Sequence, residues 1–363
     1  MKVLFVIDNL GGGGAQKLIY DLVMKMENER VEILLLSNRS DKYYSSLKEK
    51  GIPVYIVPDT CRSAIGKLNY MWKVIKNGGY SVIHANLFPA FYYVAIIKRI
   101  HRYDCPPVLM TEHSTDNNRR KKRYFKPVEK IIYGSYDHII SISKETQNAL
   151  LKWLGTNDDS KFSVIENGID VEKYQNAQAY KKEDLFPEYK NGDLLIGMVG
   201  SFTPQKNHKM MFEAMDILHD EYKLILVGEG PLLEEMKDLA QKKNLSSRIM
   251  FLGFRKDVAE IIKTVDIVCV PSVWEGFGLV AVEAMAAGKP VVVSEVPGLA
   301  GVVGNCGILV RPDKPDSIAK GIERASIDGN APEKYTHKLD EYNILRTKDG
   351  YVNIFKQFQN TRR

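Results

Sequence analysis

Short apolar runs bounded by turn residues recur along the whole chain, and helical patterns separate most of them. A first series of seven runs lies at residues 3–7, 31–36, 54–57, 81–84, 108–111, 138–142 and 162–165. A second series of six lies at 194–199, 223–227, 249–252, 267–270, 291–294 and 307–310. Strands that are apolar throughout are typical of parallel sheets covered by helices on both faces. The pattern therefore predicts an α/β protein with two doubly wound domains.

A polar stretch rich in Lys, Glu and Asn separates the two series and contains Pro187, which suits a linker. We expect a first domain over residues 1–170, a linker over 171–192 and a second domain over 193–345. The last helix, residues 346–363, is expected to join the first domain. Ligands of doubly wound sheets bind beyond the carboxyl ends of the strands, so the loops that follow the strands are the places to look for chemistry.

Composition agrees with two globular domains. The chain has 363 residues, 44% of them hydrophobic, and a net charge of +6. Its four cysteines have no C-x-x-C spacing, which indicates neither a zinc site nor a disulfide framework and favours a reducing cytosol. The first apolar run is too short for a signal peptide and ends at Asp8, and no segment has the roughly 20 apolar residues of a membrane-spanning helix.

Two glutamates flank the start of a predicted helix, with seven residues between them. Glu275 belongs to a glycine-containing loop after the run at 267–270, and Glu283 lies inside the helix, among apolar neighbours. A carboxylate accepts hydrogen bonds from vicinal hydroxyls, which hexoses and ribose both carry. The bare backbone N–H groups of the glycines and the helix N-terminus favour an anion such as a diphosphate. The segment therefore predicts a sugar-nucleotide site.

The stretch from Glu275 to Glu283, continued through Gly288 and Pro290, resembles the E-x7-E signature of the retaining glycosyltransferases of family 4, also called glycosyl transferases group 1. Six further segments resemble the same family in the same order along the chain. They are Gly13-Gly14-Ala15-Gln16, Thr111-Glu112-His113, Asn167-Gly168-Ile169-Asp170, Val199-Gly200 through Lys206-Asn207, Val227-Gly228-Glu229-Gly230-Pro231 and Phe251-Leu252-Gly253. The resemblance implies the GT-B fold, in which two Rossmann-like domains face each other across a cleft.

The resemblance also implies roles for individual residues. Glu275 would contact the transferred hexose, Glu283 the ribose hydroxyls, His113 the reacting sugar and Lys206 the departing diphosphate. We therefore expect Lys206, Glu275 and His113 to be the catalytic residues. The implied donor-binding residues are Gly13, Gly14, Gly200, Ser201, Lys206, Gly228, Gly253, Phe254, Glu275, Gly276, Phe277, Gly278, Leu279 and Glu283.

One position departs from the family pattern. The family usually pairs the lysine at position 206 with an arginine directly after Gly200, but Ser201 stands there. Half of the expected cationic clamp on the diphosphate is therefore missing. Lys209 and Arg255 are other cations in this part of the chain, although no motif supports either of them.

A dinucleotide fingerprint is an alternative interpretation of the same loop. The run from Gly276 through Gly278 to Ala281 fits G-x-G-x-x-A, and Glu295 ends the next strand, as in nicotinamide-linked dehydrogenases. Four residues separate Pro271 from Gly276, however, whereas the first glycine of a fingerprint lies in a tight turn directly after the strand. The spacing therefore disfavours a dehydrogenase.

A basic cluster follows His113 and comprises Arg119, Arg120, Lys121, Lys122 and Arg123, with no acidic residue inside it. It is compatible with a solvated loop, with an anionic membrane surface and with nucleic acid. No aromatic stacking platform or nucleic-acid module accompanies it, so no nucleic-acid partner is expected. Because the cluster lies in the half expected to bind the acceptor, a lipid-linked acceptor favours the membrane interpretation.

No Asp-x-Asp motif occurs, so a metal-held diphosphate is not expected, and no cofactor is implied. By resemblance, the reaction retains the anomeric configuration and passes through an oxocarbenium-like transition state. We expect a cytoplasmic enzyme, peripheral on the inner face of the plasma membrane. It would transfer a hexose from a UDP-sugar rather than a GDP-sugar to a lipid-linked saccharide for a bacterial surface polysaccharide. The alternatives are a soluble enzyme like sucrose or glycogen synthase and, in another class, a basic nucleic-acid-binding protein.

Overall fold

A computed structural model describes residues 1–37, 42–117, 119–329 and 332–359. The chain divides into two compact units. The first contains residues 1–167 and the C-terminal segment that begins at Ile344, and the second contains Gly168–Asn343. Each unit has one parallel sheet and its own cluster of buried apolar side chains. The two doubly wound domains predicted from the apolar runs are therefore confirmed.

The first unit contains a seven-stranded parallel sheet with the order β3-β2-β1-β4-β5-β6-β7. Its strands are β1 (Lys2–Ile7), β2 (Arg30–Leu35), β3 (Val54–Ile56), β4 (Val82–Asn86), β5 (Val108–Glu112), β6 (His138–Ser141) and β7 (Phe162–Val164). The central strand β1 is paired on both sides, with Phe5 opposite Ile33 of β2 and His84 of β4. Because these strands are covered on both faces, they are apolar along nearly their whole length.

Helices cover both faces of this sheet. They are α1 (Gly14–Lys25), α2 (Tyr44–Glu49), α3 (Ala64–Gly78), α4 (Ala90–Ile100), α5 (Phe125–Tyr133), α6 (Lys144–Leu154) and the C-terminal α16 (Ile344–Gln359). The ring of Phe355 in α16 lies 6.0 Å from that of Phe5 and 5.3 Å from that of His84. The last helix therefore packs on the first sheet; the end of its expected span, 360–363, lies outside the described residues.

The second unit contains a six-stranded parallel sheet with the order β10-β9-β8-β11-β12-β13. Its strands are β8 (Leu194–Val199), β9 (Tyr222–Val227), β10 (Ile249–Gly253), β11 (Ile267–Val270), β12 (Val291–Ser294) and β13 (Ile308–Val310). Its helices are α7 (Val171–Gln175), α8 (Lys182–Leu185), α9 (His208–Ile217), α10 (Leu233–Lys242), α11 (Val258–Thr264), α12 (Leu279–Ala286), α13 (Pro297–Val303), α14 (Pro315–Asp328) and α15 (Thr336–Glu341). Short 3-10 turns lie at Pro204–Lys206, Gly304–Cys306 and Pro332–Tyr335.

Residues 171–192 do not form a separate linker, as the sequence pattern suggested, but lie in the second unit. Tyr174 of α7 is fully buried, and α7 packs against α11 and α12. Lys182 pairs with Asp266 at 2.7 Å. The polar composition of this stretch hid two buried aromatic side chains, Tyr174 and Phe186, and the ion pair with Asp266.

The strand orders locate where each sheet changes direction. In the first sheet the chain moves outward from β1 to β3 and then returns to β4 on the other side of β1. In the second sheet it moves from β8 to β10 and returns to β11 beside β8. The loops after such neighbouring strands diverge and leave a crevice at the carboxyl edge of the sheet, where ligands bind. Those loops are residues 8–13 and 87–89 in the first unit, and 200–206 and 271–278 in the second.

Candidate functional site

In the second unit, the two loops at the change of direction bring a lysine and a glutamate together. Lys206 ends the 3-10 turn after β8, and Glu275 lies in the loop after β11. Their side chains form an ion pair, with Nζ 2.5 Å from Oε1, and are 17% and 10% exposed. The hydroxyl of the buried Ser272 donates to the same carboxylate oxygen at 3.0 Å. Two residues that the sequence analysis named for separate roles thus share one hydrogen-bonded cluster at the sheet edge.

Two amide side chains brace these loops against each other. Gln205 donates from Nε2 to the carbonyl of Trp274 at 2.9 Å, and its backbone carbonyl accepts from the N–H of Val273 at 2.8 Å. Asn207 donates from Nδ2 to the carbonyls of Pro271 and Pro312 at 3.0 and 2.8 Å. Loops without regular structure are held by such side-chain bonds to backbone groups. This bracing role has no signal in the local sequence, because neither amide carries chemistry of its own.

Glycines allow the backbone of these loops to lie unusually close together. A Cβ on Gly200 would lie 3.0 Å from Cε of Lys206, so the lysine side chain runs directly over residue 200. A Cβ on Gly228, whose φ is +148°, would lie 2.0 Å from the carbonyl oxygen of Gly200. The loop after β9 therefore supports the Gly200 loop by direct backbone contact, which explains why a glycine is needed at position 228.

Helix α12 begins directly behind Glu275. Gly278 caps it with a φ of +91°, and a Cβ there would lie 2.3 Å from Leu299, so both strain and space require glycine. The helix carries no side-chain cap, so its first N–H groups are the kind of donors that bind an anion. Glu283 lies within the second turn and is buried, 3% exposed. The structure thus confirms that this glutamate is not a solvated surface residue.

Several of the expected donor-binding positions can contribute only through their backbone. Phe277 is buried and packs edge-on against Tyr342, with ring centroids 5.1 Å apart, so its side chain is occupied by packing. Gly276 lies in the same loop, and Leu279 is the first residue of α12. Gly253 ends β10 with a φ of +65°, and the half-buried Phe254 follows it.

Among the described residues, neither Arg255, Lys209 nor His208 takes the place of the arginine that Ser201 replaces. Arg255 is held by Asp257, with Nε 2.8 Å from Oδ1, so this guanidinium is already committed. Lys209 is exposed on α9. His208 is buried and stacked on Phe202 at 4.1 Å; burial, together with the charge of Lys206, lowers its pKa to about 4, so it is neutral at pH 7.

In the first unit, His113 follows β5 and heads a chain of neutral hydrogen bonds. Its Nε2 lies 3.0 Å from Oδ1 of Asn86. Asn86 approaches Nδ1 of His84 at 3.4 Å, and Nε2 of His84 lies 2.9 Å from the hydroxyl of Thr111. The Thr111 hydroxyl in turn lies 3.0 Å from that of Tyr351 in α16. The chain links the carboxyl ends of β4 and β5 to the C-terminal helix.

The partners fix the protonation of His113. An amide oxygen only accepts, so Nε2 of His113 carries the hydrogen that it donates to Asn86. Burial lowers the pKa of His113 to about 4, and burial and the nearby His113 lower that of His84 to about 3. Both rings are therefore neutral at pH 7. The lone pair on Nδ1 of His113 is buried and has no partner among the described residues. It is an unused hydrogen-bond acceptor.

The glycine loop after β1 starts α1 in the first unit. Gly13 caps that helix with ordinary extended backbone, and a Cβ there would lie 2.4 Å from Oε1 of Gln16. The side chain of Gln16 thus occupies the space that a larger residue at position 13 would need. Gly14 is the first helical residue and is exposed.

The basic cluster is not one continuous exposed patch, which corrects the sequence interpretation. Arg119 pairs with the buried Glu129 at 2.6 Å, and Arg120 pairs with Glu112 at 2.9 Å and is only 6% exposed. Arg120 also donates to the carbonyls of residues 114 and 115 and so folds the loop that follows His113. The exposed cations are Lys121, Lys122 and Arg123.

The alternative dinucleotide fingerprint does not have the required geometry. Strand β11 ends at Val270, and Gly276 comes six residues later rather than in the turn directly after the strand. Within the described part of the chain, no group of three or more His, Cys, Asp or Glu side chains could hold a metal ion. None of the described helices is long and apolar enough to cross a membrane.

The sequence matches two protein families over most of its length. Residues 12–173 match the family described as Glycosyltransferase Family 4, and residues 181–344 match Glycosyl transferases group 1. An uncharacterized glycosyltransferase of Methanocaldococcus jannaschii is 31% identical over 76% of this chain and 75% of its own. The UDP-Gal:alpha-D-GlcNAc-diphosphoundecaprenol alpha-1,3-galactosyltransferase of Escherichia coli is 28% identical over 94% of this chain and 93% of its own. The crystal structure of Anabaena HepE in complex with UDP-glucose has a TM-score of 0.85 at 21% identity, covering 98% of this chain and all of HepE.

Proposed function

The chain belongs to the group 1 glycosyltransferases and has their GT-B fold, and from that premise we propose that it transfers a hexose from a UDP-sugar to a lipid-linked saccharide with retention of configuration. GDP is the second choice for the nucleotide. The observation that carries the proposal is the Lys206–Glu275 pair at the crevice of the second sheet, directly ahead of the uncapped N-terminus of α12. A cation, a carboxylate and free backbone N–H groups are what a diphosphate attached to a sugar requires.

The pairing of Lys206 with Glu275 suggests how the donor is received. A diphosphate carries more charge than a carboxylate, so it competes for the Lys206 ammonium group. Glu275 then keeps the hydrogen bond from Ser272 and turns its other oxygen to hexose hydroxyls. Glu283, in the second turn of α12, is assigned to the ribose hydroxyls. The second unit would therefore supply the donor site.

The reaction proposed is a same-side substitution. The bond between the anomeric carbon and the diphosphate oxygen breaks, and the acceptor hydroxyl oxygen forms its bond on the side from which the diphosphate departs. The hydroxyl proton passes to the departing phosphate oxygen. Lys206 and the N–H groups of α12 stabilise the negative charge that develops there. No metal ion is needed in this scheme, because these groups neutralise the diphosphate.

His113 is assigned to the sugar rather than to proton transfer. Its pKa of about 4 makes it a weak base at pH 7, while its unused Nδ1 can accept a hydrogen bond from a hydroxyl group. The hydrogen bond to Asn86 holds the ring in the tautomer that this contact requires. The first unit would therefore supply a neutral contact to the reacting sugar.

The acceptor and location are proposed from chemistry and relatives together. The E. coli relative is named for a diphosphoundecaprenol-linked acceptor, and it matches nearly the whole chain. We therefore favour a lipid-linked acceptor for a surface polysaccharide and a cytoplasmic enzyme peripheral on the inner face of the plasma membrane. A soluble enzyme like sucrose or glycogen synthase is the alternative with the same fold. Nucleic-acid binding is disfavoured, because two of the five clustered cations are committed to buried carboxylates.

A nucleotide panel followed by a transfer assay tests this function. A ligand that binds the folded state raises the melting temperature, through about 2.7 kcal/mol of stability at a hundredfold excess over its dissociation constant. We expect UDP to give the largest shift, GDP a smaller one and NAD none. Incubation of UDP-galactose or UDP-glucose with a diphosphoundecaprenol-linked N-acetylglucosamine should yield an α-linked product by NMR. A β-linked product would reject retention, and no shift with any nucleoside diphosphate would reject the function.

A further inference from the structure

Helix α5 presents an exposed apolar stripe in the first unit. Tyr124, at the start of the helix, is 66% exposed, Val128 is 46% exposed and Ile131 is 53% exposed. Their spacing of four and three residues places them on one side of the helix. The opposite side, with Glu129, Ile132 and Tyr133, is buried. A helix with its inner side already packed has no structural need for a second apolar side.

Cations surround this stripe. Lys121, Lys122 and Arg123 are exposed in the turn before the helix, and Lys130 is exposed within it. The only acidic residue from 119 to 136 is Glu129, which is fully buried and already accepts from Arg119 and from Trp153. From residue 119 to residue 136, every exposed charged side chain is therefore a cation.

We propose that this surface, formed by Tyr124, Val128 and Ile131 with Lys121, Lys122, Arg123 and Lys130, docks on an anionic lipid surface with the apolar stripe inserted among the headgroups. An interfacial helix combines these features, with apolar side chains that enter the acyl boundary and cations that face anionic headgroups. Tyrosine suits the same boundary, since its ring is apolar and its hydroxyl stays hydrated. The proposal deepens the proposed function, because it rests on an acceptor that is lipid-linked.

Charge argues against a second copy of the chain as the occupant. A two-fold symmetric contact places the same surface on both sides, so it would bring these four cations against their own copies. Three side chains also offer little apolar area for a stable dimer, which typically buries about 800 Å² on each partner. An extended anionic partner, such as a lipid surface, matches the positive charge of this surface and does not require a large apolar contact area.

Helix α5 lies at the same edge of the first sheet as His113, which relates the docking surface to the proposed acceptor. A helix that follows a parallel strand begins at the carboxyl end of that strand, and α5 follows β5. His113 lies just past the end of β5, at the same edge of the first sheet. Docking through the first turns of α5 would therefore bring the His113 edge of the sheet towards the lipid surface, where a lipid-linked saccharide is presented.

The test is flotation of the full chain with vesicles of 70% phosphatidylcholine and 30% phosphatidylglycerol, compared with pure phosphatidylcholine. One variant removes the stripe (Tyr124→Ser, Val128→Ser, Ile131→Ser) and a second removes charge (Lys122→Ser, Arg123→Ser, Lys130→Ser). Each cation near an anionic surface contributes about 5-fold, so the charge variant should bind on the order of 100-fold more weakly. The stripe variant should bind at least ~10-fold more weakly.

The chain provides a matched control at the other edge of the same sheet. Ile100 and Tyr103 are 63% and 92% exposed and lie beside Arg99 and Arg102. Ile100 is the last residue of α4, which runs away from the carboxyl edge, and Tyr103 follows it. The variant Ile100→Ser with Tyr103→Ser should bind anionic vesicles like the wild type. An equal loss in this control would mean that the binding is not localised to α5 and would overturn the proposal.

Insertion is measured separately from attraction. Tyr124→Trp introduces an indole whose emission should shift to shorter wavelength with the anionic vesicles but not with poly-glutamate. No emission shift with the anionic vesicles would reject insertion into the lipid. Equally tight binding to poly-glutamate would assign the surface to an acidic partner instead of a lipid. Wild-type protein that ignores anionic vesicles at low salt, or that dimerises through the stripe in ultracentrifugation, would also overturn it.

The outcome is distinguishable from that of the proposed function. UDP affinity and transfer to a short water-soluble acceptor should be unchanged in the stripe variant, because none of its residues belongs to the proposed donor site. If vesicle binding fails while transfer proceeds, only the docking surface is wrong. If vesicle binding holds while no nucleotide-sugar is used, the proposed function is wrong and the surface stands.

Discussion

The candidate residues of the two units differ in how they use charge. In the second unit, Lys206 and Glu275 form a partly exposed ion pair at the sheet edge, and we propose that each exchanges its partner for a ligand. In the first unit, His113, Asn86 and His84 form a neutral chain, while the nearby cations are locked to buried carboxylates. The difference suggests a division of labour, in which one unit handles a charged diphosphate and the other positions an uncharged sugar.

The comparison also separates structural charge from functional charge. Arg120 is 6% exposed, and its partner Glu112 also accepts a hydrogen bond from the buried Tyr133. Burial and the Glu112 carboxylate raise the pKa of Tyr133 well above its usual value, so the phenol stays protonated and donates. Such a fully enclosed network holds the fold of the loop after His113. The Lys206–Glu275 pair, in contrast, is partly exposed, at 17% and 10%.

The largest expected effect is on stability, from breaking the enclosed network. Arg120→Ala leaves the Glu112 carboxylate buried without its cation, which typically costs about 3–5 kcal/mol of unfolding free energy. Lys122→Ala, two residues away and exposed, should change it by less than about 0.5 kcal/mol. Urea unfolding followed by circular dichroism measures both. Equal, small effects would mean that Arg120 is a surface charge like its neighbour.

Lys206→Ala should act on turnover instead. Loss of a group that stabilises charge in the transition state typically lowers turnover by ~100-fold or more. Ser201 has no charge, Arg255 is already paired with Asp257, and His208 is neutral at pH 7. None of the three can therefore replace the charge of Lys206. Lys209→Ala, which removes an exposed cation three residues on, is the matched control and should keep full turnover. Steady-state rates at saturating donor decide the matter, and wild-type turnover in Lys206→Ala would remove it from the site.

His113→Asn should have a smaller and more selective effect. Removal of one hydrogen bond to a sugar hydroxyl costs about 1.4 kcal/mol, which is about 10-fold in turnover, with UDP affinity unchanged. Since the pKa of His113 is about 4, the ring stays neutral above pH 5. The rate profile from pH 5.5 to 8 should therefore have the same shape in both proteins. A step near pH 6.5 that disappears in the variant would show that His113 transfers a proton.

The neutral histidines also predict acid sensitivity. Burial holds the pKa values of His84, His113 and His208 at about 3 to 4, below the ordinary 6.5. The unfolded chain then binds more protons than the folded chain between these values, so their contribution to stability is present above pH 6.5 and is lost as pH falls towards 4. Melting temperature should drop from pH 7.5 to 5.0, and less so in His84→Asn. An equal drop in that variant would contradict the neutral assignment of His84.

Much of the fold could be predicted because the strands are buried on both faces. All thirteen apolar runs became strands, with boundaries shifted by at most two residues, since continuous burial leaves an unbroken apolar signature. The stretch at 171–192 could not be predicted in the same way. Its attachment to the second unit depends on Tyr174 and on the Lys182–Asp266 pair, which join residues far apart in sequence.

The candidate site was predictable only in part, for a related reason. Glu275, Glu283 and Lys206 stand in glycine-rich motifs, so their local sequence identifies them. The ion pair between Lys206 and Glu275 joins positions 69 residues apart, and no local pattern encodes it. In the first unit, Asn86 and Thr111 are polar residues at the ends of apolar strands, which was the available signal for the neutral chain.

The burial of Arg119 and Arg120 could not be predicted from the sequence either. In the sequence they are indistinguishable from Lys121, Lys122 and Arg123, and the run looks like one solvated patch. Their burial depends on Glu129 and Glu112, which come from α5 and β5. A guanidinium suits such enclosed pairs better than an ammonium group, because its planar fork satisfies several acceptors at once. The two arginines therefore turn inward while the cations that follow stay exposed.

The most direct test of the division of labour is calorimetric titration of UDP into four forms of the full chain. These are the wild type, Glu283→Gln, His113→Asn and Glu295→Gln, the last an exposed glutamate after β12 that a dinucleotide site would use. We expect UDP to bind the wild type, His113→Asn and Glu295→Gln with one affinity. Glu283→Gln should bind about 10-fold to 100-fold more weakly, because a hydrogen bond to a charged acceptor is worth about 1.5–3 kcal/mol. Unchanged affinity in Glu283→Gln, or a loss confined to His113→Asn, would contradict the assignment of the nucleotide to the second unit.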